Sequence, residues 1–105
     1  MTTRELVNPV WSLFDAAVRH YNVRVICPRC AHSEVLHSAA MWKMFEGRNW
    51  DDDLRNVPAR LYCSRCWQTY STKSRPNATL VEVAETVPLP FPTDAEWKRA
   101  ISRRR

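Results

Sequence analysis

Glycine is almost missing from this chain: Gly47 is the only one in 105 residues. Phosphate loops and dinucleotide-binding turns use several glycines to bring backbone amides close to a phosphate, so both signatures are excluded. Long apolar runs are missing too. No stretch approaches the ~20 apolar residues needed to cross a bilayer, so no membrane segment is expected. Met1-Thr2-Thr3-Arg4-Glu5 is polar and no apolar export-signal core follows it, which makes a cytoplasmic location the expectation. His20, His32 and His37 stand apart and belong to no nucleophile or metalloprotease motif, so catalysis is not expected. The run Asp51-Asp52-Asp53 lacks the spacing and glycine of a calcium loop and reads as a solvated helix start.

Cysteine is scarce but organised. The four cysteines form two C-x-x-C pairs, Cys27-Pro28-Arg29-Cys30 and Cys63-Ser64-Arg65-Cys66, separated by residues 31–62. Thiolates three residues apart in a tight turn can face one ion, and two such turns complete a tetrahedral shell. Disulfides would need an oxidising compartment, against which the polar N-terminus argues. A redox dithiol needs only one pair, placed on a βαβ pattern that is absent. Rubredoxin-type iron uses the same four ligands, but in acidic, glycine-rich chains, whereas this one is basic. We therefore expect one structural Zn²⁺ held by Cys27, Cys30, Cys63 and Cys66. His32 is the only further ligand candidate close to a pair, either replacing a cysteine or hydrogen-bonding a thiolate.

Length allows one domain. An apolar fraction of 45% and five tryptophans supply a globular core. The formal charge is +5, and four thiolates with one dication would bring it near +3 (−4 + 2 = −2). This permits nucleic acid as a partner without requiring it. Asn8 and Pro9 suit the start of a helix, assigned to residues 4–20, with Val10, Trp11, Phe14, Ala17, Val18 and Tyr21 along its apolar face. Tyr21–Ile26 alternates into the first pair and Glu34–His37 returns from it. Arg60-Leu61-Tyr62 enters the second pair and Gln68–Ser71 leaves it. Leu80–Glu85 is a further alternating segment. Both pairs are thus expected at hairpin tips.

Strand, C-P-R-C, strand, spacer, strand, C-S-R-C, strand resembles the zinc-ribbon superfamily, including small bacterial zinc-ribbon proteins, over residues 21–85. The resemblance implies antiparallel hairpins around a structural zinc and no shared chemistry. Many members bind nucleic acid or dock on large assemblies. Two departures are visible. Glycine often follows the second cysteine of a knuckle, where positive φ is favoured, but here Ala31 and Trp67 stand. The spacer is also too long for a bare turn. It reads as a helical insert at about 38–58, capped by Ser38, striped by Ala40, Met41, Met44 and Phe45, and ended by Gly47.

Residues 86–105 read as a Pro-rich connector, a short helix opened by the capping box Thr93-Asp94-Ala95-Glu96, and the basic tail Arg103–Arg105. The expected fold is therefore α+β: a small zinc ribbon with an N-terminal helix, a helical insert and a C-terminal helix. Arg24, Arg29, Arg60, Arg65, Lys73 and Arg75, interleaved with Trp67 and Tyr70, form a candidate nucleic-acid surface. The alternative is a protein adaptor with zinc purely structural, working through the insert or the connector and exposing Trp42, Trp50 or Phe91. Because the metal stabilises folding, Cys30→Ser or Cys63→Ser is expected to leave the domain largely unfolded.

Overall fold

The computed structural model describes residues 10–103 as a small α+β protein. In chain order the elements are α1 (Leu13–Val18), β1 (Asn22–Ile26), β2 (Ser33–Leu36), α2 (Ser38–Gly47), a 3-10 turn (Val57–Arg60), α3 (Ser64–Tyr70), β3 (Asn77–Val81) and α4 (Asp94–Arg103). The sheet is antiparallel, ordered β2-β1-β3, with Val23 opposite both Leu36 and Leu80. Period-two alternation then puts Val23, Val25, Leu36, Ala78 and Leu80 on one face, and these side chains meet the apolar core. Arg24 lies on the opposite face, in register with Val35 and Thr79.

Among the described residues the N-terminal helix covers Leu13–Val18, and residues 10–12 are not helical. Asn8 and Pro9 lie outside the described residues; within them the helix begins at Leu13. Ser12 is the N-cap, its Oγ accepting from the Asp15 amide at 3.1 Å. Trp11 and Val18 are exposed, whereas Leu13, Phe14 and Ala16 are buried. The acidic run explains this start. Leu13 N donates to Asp52 O at 3.0 Å and Phe14 N to Asp52 Oδ2 at 3.2 Å. Asp52 thus satisfies helix-terminal amides from across the chain, and the triplet starts no helix of its own.

The insert forms α2 as expected, with details reassigned. His37, not Ser38, is the N-cap, with Nδ1 accepting from the Ala39 amide at 3.2 Å. Ser38 is buried, and its Oγ donates to Tyr21 O at 2.6 Å. The left-handed residue after the helix is Asn49 (φ 56°), while Gly47 remains helical. Trp42, one of the aromatics expected on an adaptor surface, is 4% exposed and belongs to the core with Leu13, Phe14, Met41, Phe45 and Val57. Trp50 is half-buried against Phe45.

The C-terminal quarter follows its sequence closely. Thr93 N donates to Glu96 Oε1 at 2.7 Å, and Glu96 N to Thr93 Oγ1 at 3.1 Å, a complete capping box. Trp97, Ala100 and Ile101 of α4 pack into the core. The connector lies along the molecule: Leu89 joins the core, and Phe91 stacks on His37 with centroids 4.5 Å apart. No helix among the described residues is long and apolar enough to cross a membrane.

Candidate metal centre

The first pair sits at the tip of the β1–β2 hairpin. Cys27 follows β1 directly; its amide donates to His32 O at 2.9 Å, and Ala31 N returns to Cys27 O at 2.8 Å. The Arg29 amide donates to Cys27 Sγ at 3.4 Å. Closing this turn puts Ala31 at φ 64°, a position that favours glycine. Here the strain is carried.

The second pair is built differently. Cys63 is the N-cap of α3, its Sγ accepting from the Cys66 amide at 3.4 Å, and Cys66 lies one turn in. Arg60-Leu61-Tyr62 and Gln68–Ser71 were expected as strands flanking this pair, and neither is one: Gln68–Tyr70 continue α3, and the chain reverses at Ser71 (φ 54°). Trp67 needs no positive φ because it is helical. The third strand is Asn77–Val81 rather than Leu80–Glu85. One cysteine pair on a hairpin and one on a helix start replace the two expected hairpin tips. The physical reason is degeneracy: a tight turn and a first helical turn both aim residues i and i+3 at a common point.

The four sulfurs come together. Cys27 Sγ lies 3.7 Å from Cys66 Sγ, and Cys30 Sγ lies 3.6 Å from Cys63 Sγ. All four are within 4.8 Å of one another, and three of the residues are buried. A tetrahedron with metal–sulfur bonds of about 2.3 Å has edges of about 3.8 Å, so the spacing suits a zinc-sized ion. All four thiols are free.

The charge state points the same way. The Ser74 hydroxyl, 3.3 Å from Cys27 Sγ, together with backbone amides, holds the Cys27 thiol down to about 6 despite its burial. Burial pushes Cys66 up to about 12, reinforced by the neighbouring thiols and the charge on Cys27. The surroundings thus favour negative charge at Cys27 and put up resistance to it at Cys66. A dication removes that resistance, and four thiolates are what zinc takes. His32 stays out of the cluster: its Nε2 lies 3.0 Å from Glu34 Oε2. Ser74 was not apparent as a partner, since nothing in Lys73-Ser74-Arg75 marks it. Cys63 N donates to Ser74 O at 2.9 Å, so one residue ties both pairs together.

Around this centre the candidate surface residues separate into groups. The Arg29 guanidinium lies 5.2 Å from the Tyr70 ring centroid, and Lys73 Nζ lies 5.3 Å and 5.7 Å from those of Tyr62 and Trp67. Tyr62 and Trp67 meet edge-on at 6.0 Å. Arg65 is exposed on α3. Arg60 and Arg48 instead lie 5.1 Å and 4.9 Å from the Trp50 ring. Arg75 donates to Leu61 O at 2.8 Å, so it braces the chain before the second pair. Arg24 takes part in none of these ring contacts. Arg103 belongs to α4, 3.7 Å from Glu46, and Arg104 and Arg105 lie outside the described residues. A comparison with known proteins finds no matching family model, no matching curated protein and no matching solved structure, so the likeness to zinc ribbons rests on the two cysteine pairs and the hairpin of the first.

Proposed function

We propose that this chain is a non-enzymatic zinc-binding module of the cytoplasm that contacts nucleic acid through the surface around α3. Four cysteine ligands close a zinc shell and leave no position for a reacting water, which favours a structural ion over a catalytic one. In this reading the fold is a zinc-ribbon variant whose second knuckle has become a helix start.

The observation that carries the reading is the charge and exposure of this surface. Between Asp53 and Glu82 the sequence has no carboxylate, yet it holds Arg55, Arg60, Arg65, Lys73 and Arg75. Arg55 is committed to Asp53 and Arg75 to Leu61 O, which leaves Arg60, Arg65 and Lys73, joined by Arg29 from the first pair. Guanidinium forks suit phosphate, and cations beside exposed rings suit a chain of alternating phosphates and bases.

The test is binding of zinc-loaded protein to short nucleic acids across a salt series, with metal content measured on the same sample. Neutralising three or four phosphates predicts a log–log salt slope of about −2 to −4. Arg29→Glu combined with Arg65→Glu should abolish most of the affinity without loss of zinc. Absence of binding at low salt, from folded protein carrying one zinc, would overturn the proposal.

A further inference from the structure

We infer that the nucleic acid taken by this surface is single-stranded, and that its path runs from α3 past Tyr62 to the arginine-flanked Trp50. This rests on the nucleic-acid reading above and deepens it.

Ring exposure comes first. Tyr62, Trp67 and Tyr70 are 44%, 43% and 60% exposed, and none of them joins the apolar core. Three large rings turned to solvent on one short segment present π-faces, which unpaired bases can stack on and paired bases in a duplex cannot. The rings are already paired with cations, Arg29 with Tyr70 and Lys73 with Tyr62 and Trp67. A base settling on Tyr70 either lies opposite the Arg29 guanidinium or displaces it, and in both cases the fork can reach the adjoining phosphate.

The shape of α3 argues against duplex reading. Its seven residues span roughly 10 Å, and its first turn is bound to the sulfur cluster. A helix that reads the major groove contacts bases from its N-terminal residues, and here that end is occupied by the cysteines. What α3 offers outward is its sides, Trp67 and Tyr70 together on one and Arg65 on another.

Sequence adjacency links the two ends of the path. Arg60 and Tyr62 are two residues apart, so their Cα atoms are separated by at most about 7 Å. Arg60 faces Trp50, and Arg48 faces the same ring. Trp50 itself is half-buried against Phe45, so this end of the track contributes mainly its two guanidinium groups. Asp51 follows Trp50 and marks where a phosphate backbone would cease to be attracted.

The experiment is fluorescence anisotropy of the zinc-loaded full chain with labelled 12-mer oligothymidylate, 12-mer oligouridylate and a 12-base-pair DNA duplex at one salt concentration. Single strands should bind at least tenfold tighter than duplex, whichever sugar is preferred. Trp67→Ala and Tyr70→Ala should each weaken single-strand binding about 5- to 100-fold with little change in salt slope. Arg48→Ala with Arg60→Ala should lower the slope by about one to two. Zinc content and circular dichroism check that the variants remain folded, as expected for exposed positions. Duplex binding that equals single-strand binding, with silent ring variants, overturns this inference and leaves the nucleic-acid reading standing. A silent Arg48–Arg60 pair overturns the path. No binding to any probe overturns both.

Discussion

Removing the metal should disorder the segment around α3 and spare the apolar core. Most of the buried side chains fall into two clusters: a core of Leu13, Phe14, Val23, Met41, Trp42, Phe45, Val57 and Ala100, and a separate group of Cys27, Cys63 and Cys66 with Cys30 beside it. A cavity of about 160 Å³ is lined by Val25, Leu36 and Leu61, which pack on the first cluster, and by Cys27 and Cys63 of the second. Among the described residues α3 forms no extensive contact with any other helix or strand. Its only buried side chain is that of Cys66.

The magnitudes decide the outcome. Ordering seven backbone residues costs about 7–14 kcal/mol, and an isolated helix of this length is marginal even in the best sequences. Burying one small thiol returns only about 1–2 kcal/mol. Zinc binding, worth about 10–16 kcal/mol in small peptides, is of the size needed to hold α3. Phe45, Leu13, Met41, Val23 and Val57 are fully buried without it, each contributing about 1.5–3 kcal/mol. Partial disorder therefore replaces the general unfolding that the cysteine pattern alone suggests. Chelation under reducing conditions, or Cys66→Ala, should bring the amides of residues 63–71 close to free exchange while Val23, Val25 and Phe45 keep most of their protection. Hydrogen exchange read residue by residue makes the measurement. Simultaneous loss of protection at Phe45 and Tyr70 would show one cooperative unit and refute the reasoning.

Three further expectations follow from individual contacts. Ser74→Ala removes the hydroxyl 3.3 Å from Cys27 Sγ and should weaken zinc binding about 10- to 100-fold in competition with a chromophoric chelator. Ala31→Gly relieves a left-handed backbone costing about 1–2 kcal/mol, partly offset by glycine's freedom in the unfolded chain, so the loaded protein should gain about 0.5–1 kcal/mol in thermal unfolding. Asp53, bonded by the Arg55 side chain and amide, has its pKa lowered to about 2, so its stabilisation is present above the unfolded value of 3.8 and is lost as pH falls through about 2. A carboxyl-carbon NMR titration reads this directly, and Arg55→Ala should return the midpoint toward the unfolded value.

Where the sequence was legible, a local signal agreed with the tertiary environment. Thr93-Asp94-Ala95-Glu96 opens α4 because the box is self-contained, and Trp97, Ala100 and Ile101 fall on one face whatever the helix packs against. The stripe of α2 was legible for the same reason. The start of α1 at Leu13 was not, because it draws on a distant residue. Ser12 and Asp15 form a local cap, and Asp52, distant in sequence, completes the start. A partner 38 residues away leaves no trace in a local pattern. β3 was misplaced on similar grounds, since its register is set by pairing with β1 and alternation alone admits a shift of several residues.

The cysteine site shows how far one motif can carry an argument. Ligand identity follows from C-x-x-C spacing because the metal requires convergent sulfurs and little else. Backbone conformation does not follow, since a hairpin turn and a helix start both satisfy that requirement. The residue after each pair is what separates the two cases. Ala31 is followed by His32 and Ser33, where the chain turns into β2, while Trp67 is followed by Gln68, Thr69 and Tyr70, which continue the helix. That difference fixes the outward surface. A hairpin at the second pair would have sent Trp67 and Tyr70 to opposite faces of a strand, because their spacing of three is odd. On a helix the same spacing puts them on one side, next to Arg29 and Lys73. The step from a metal site to the proposed binding surface therefore depends on the one feature that the cysteine spacing left open.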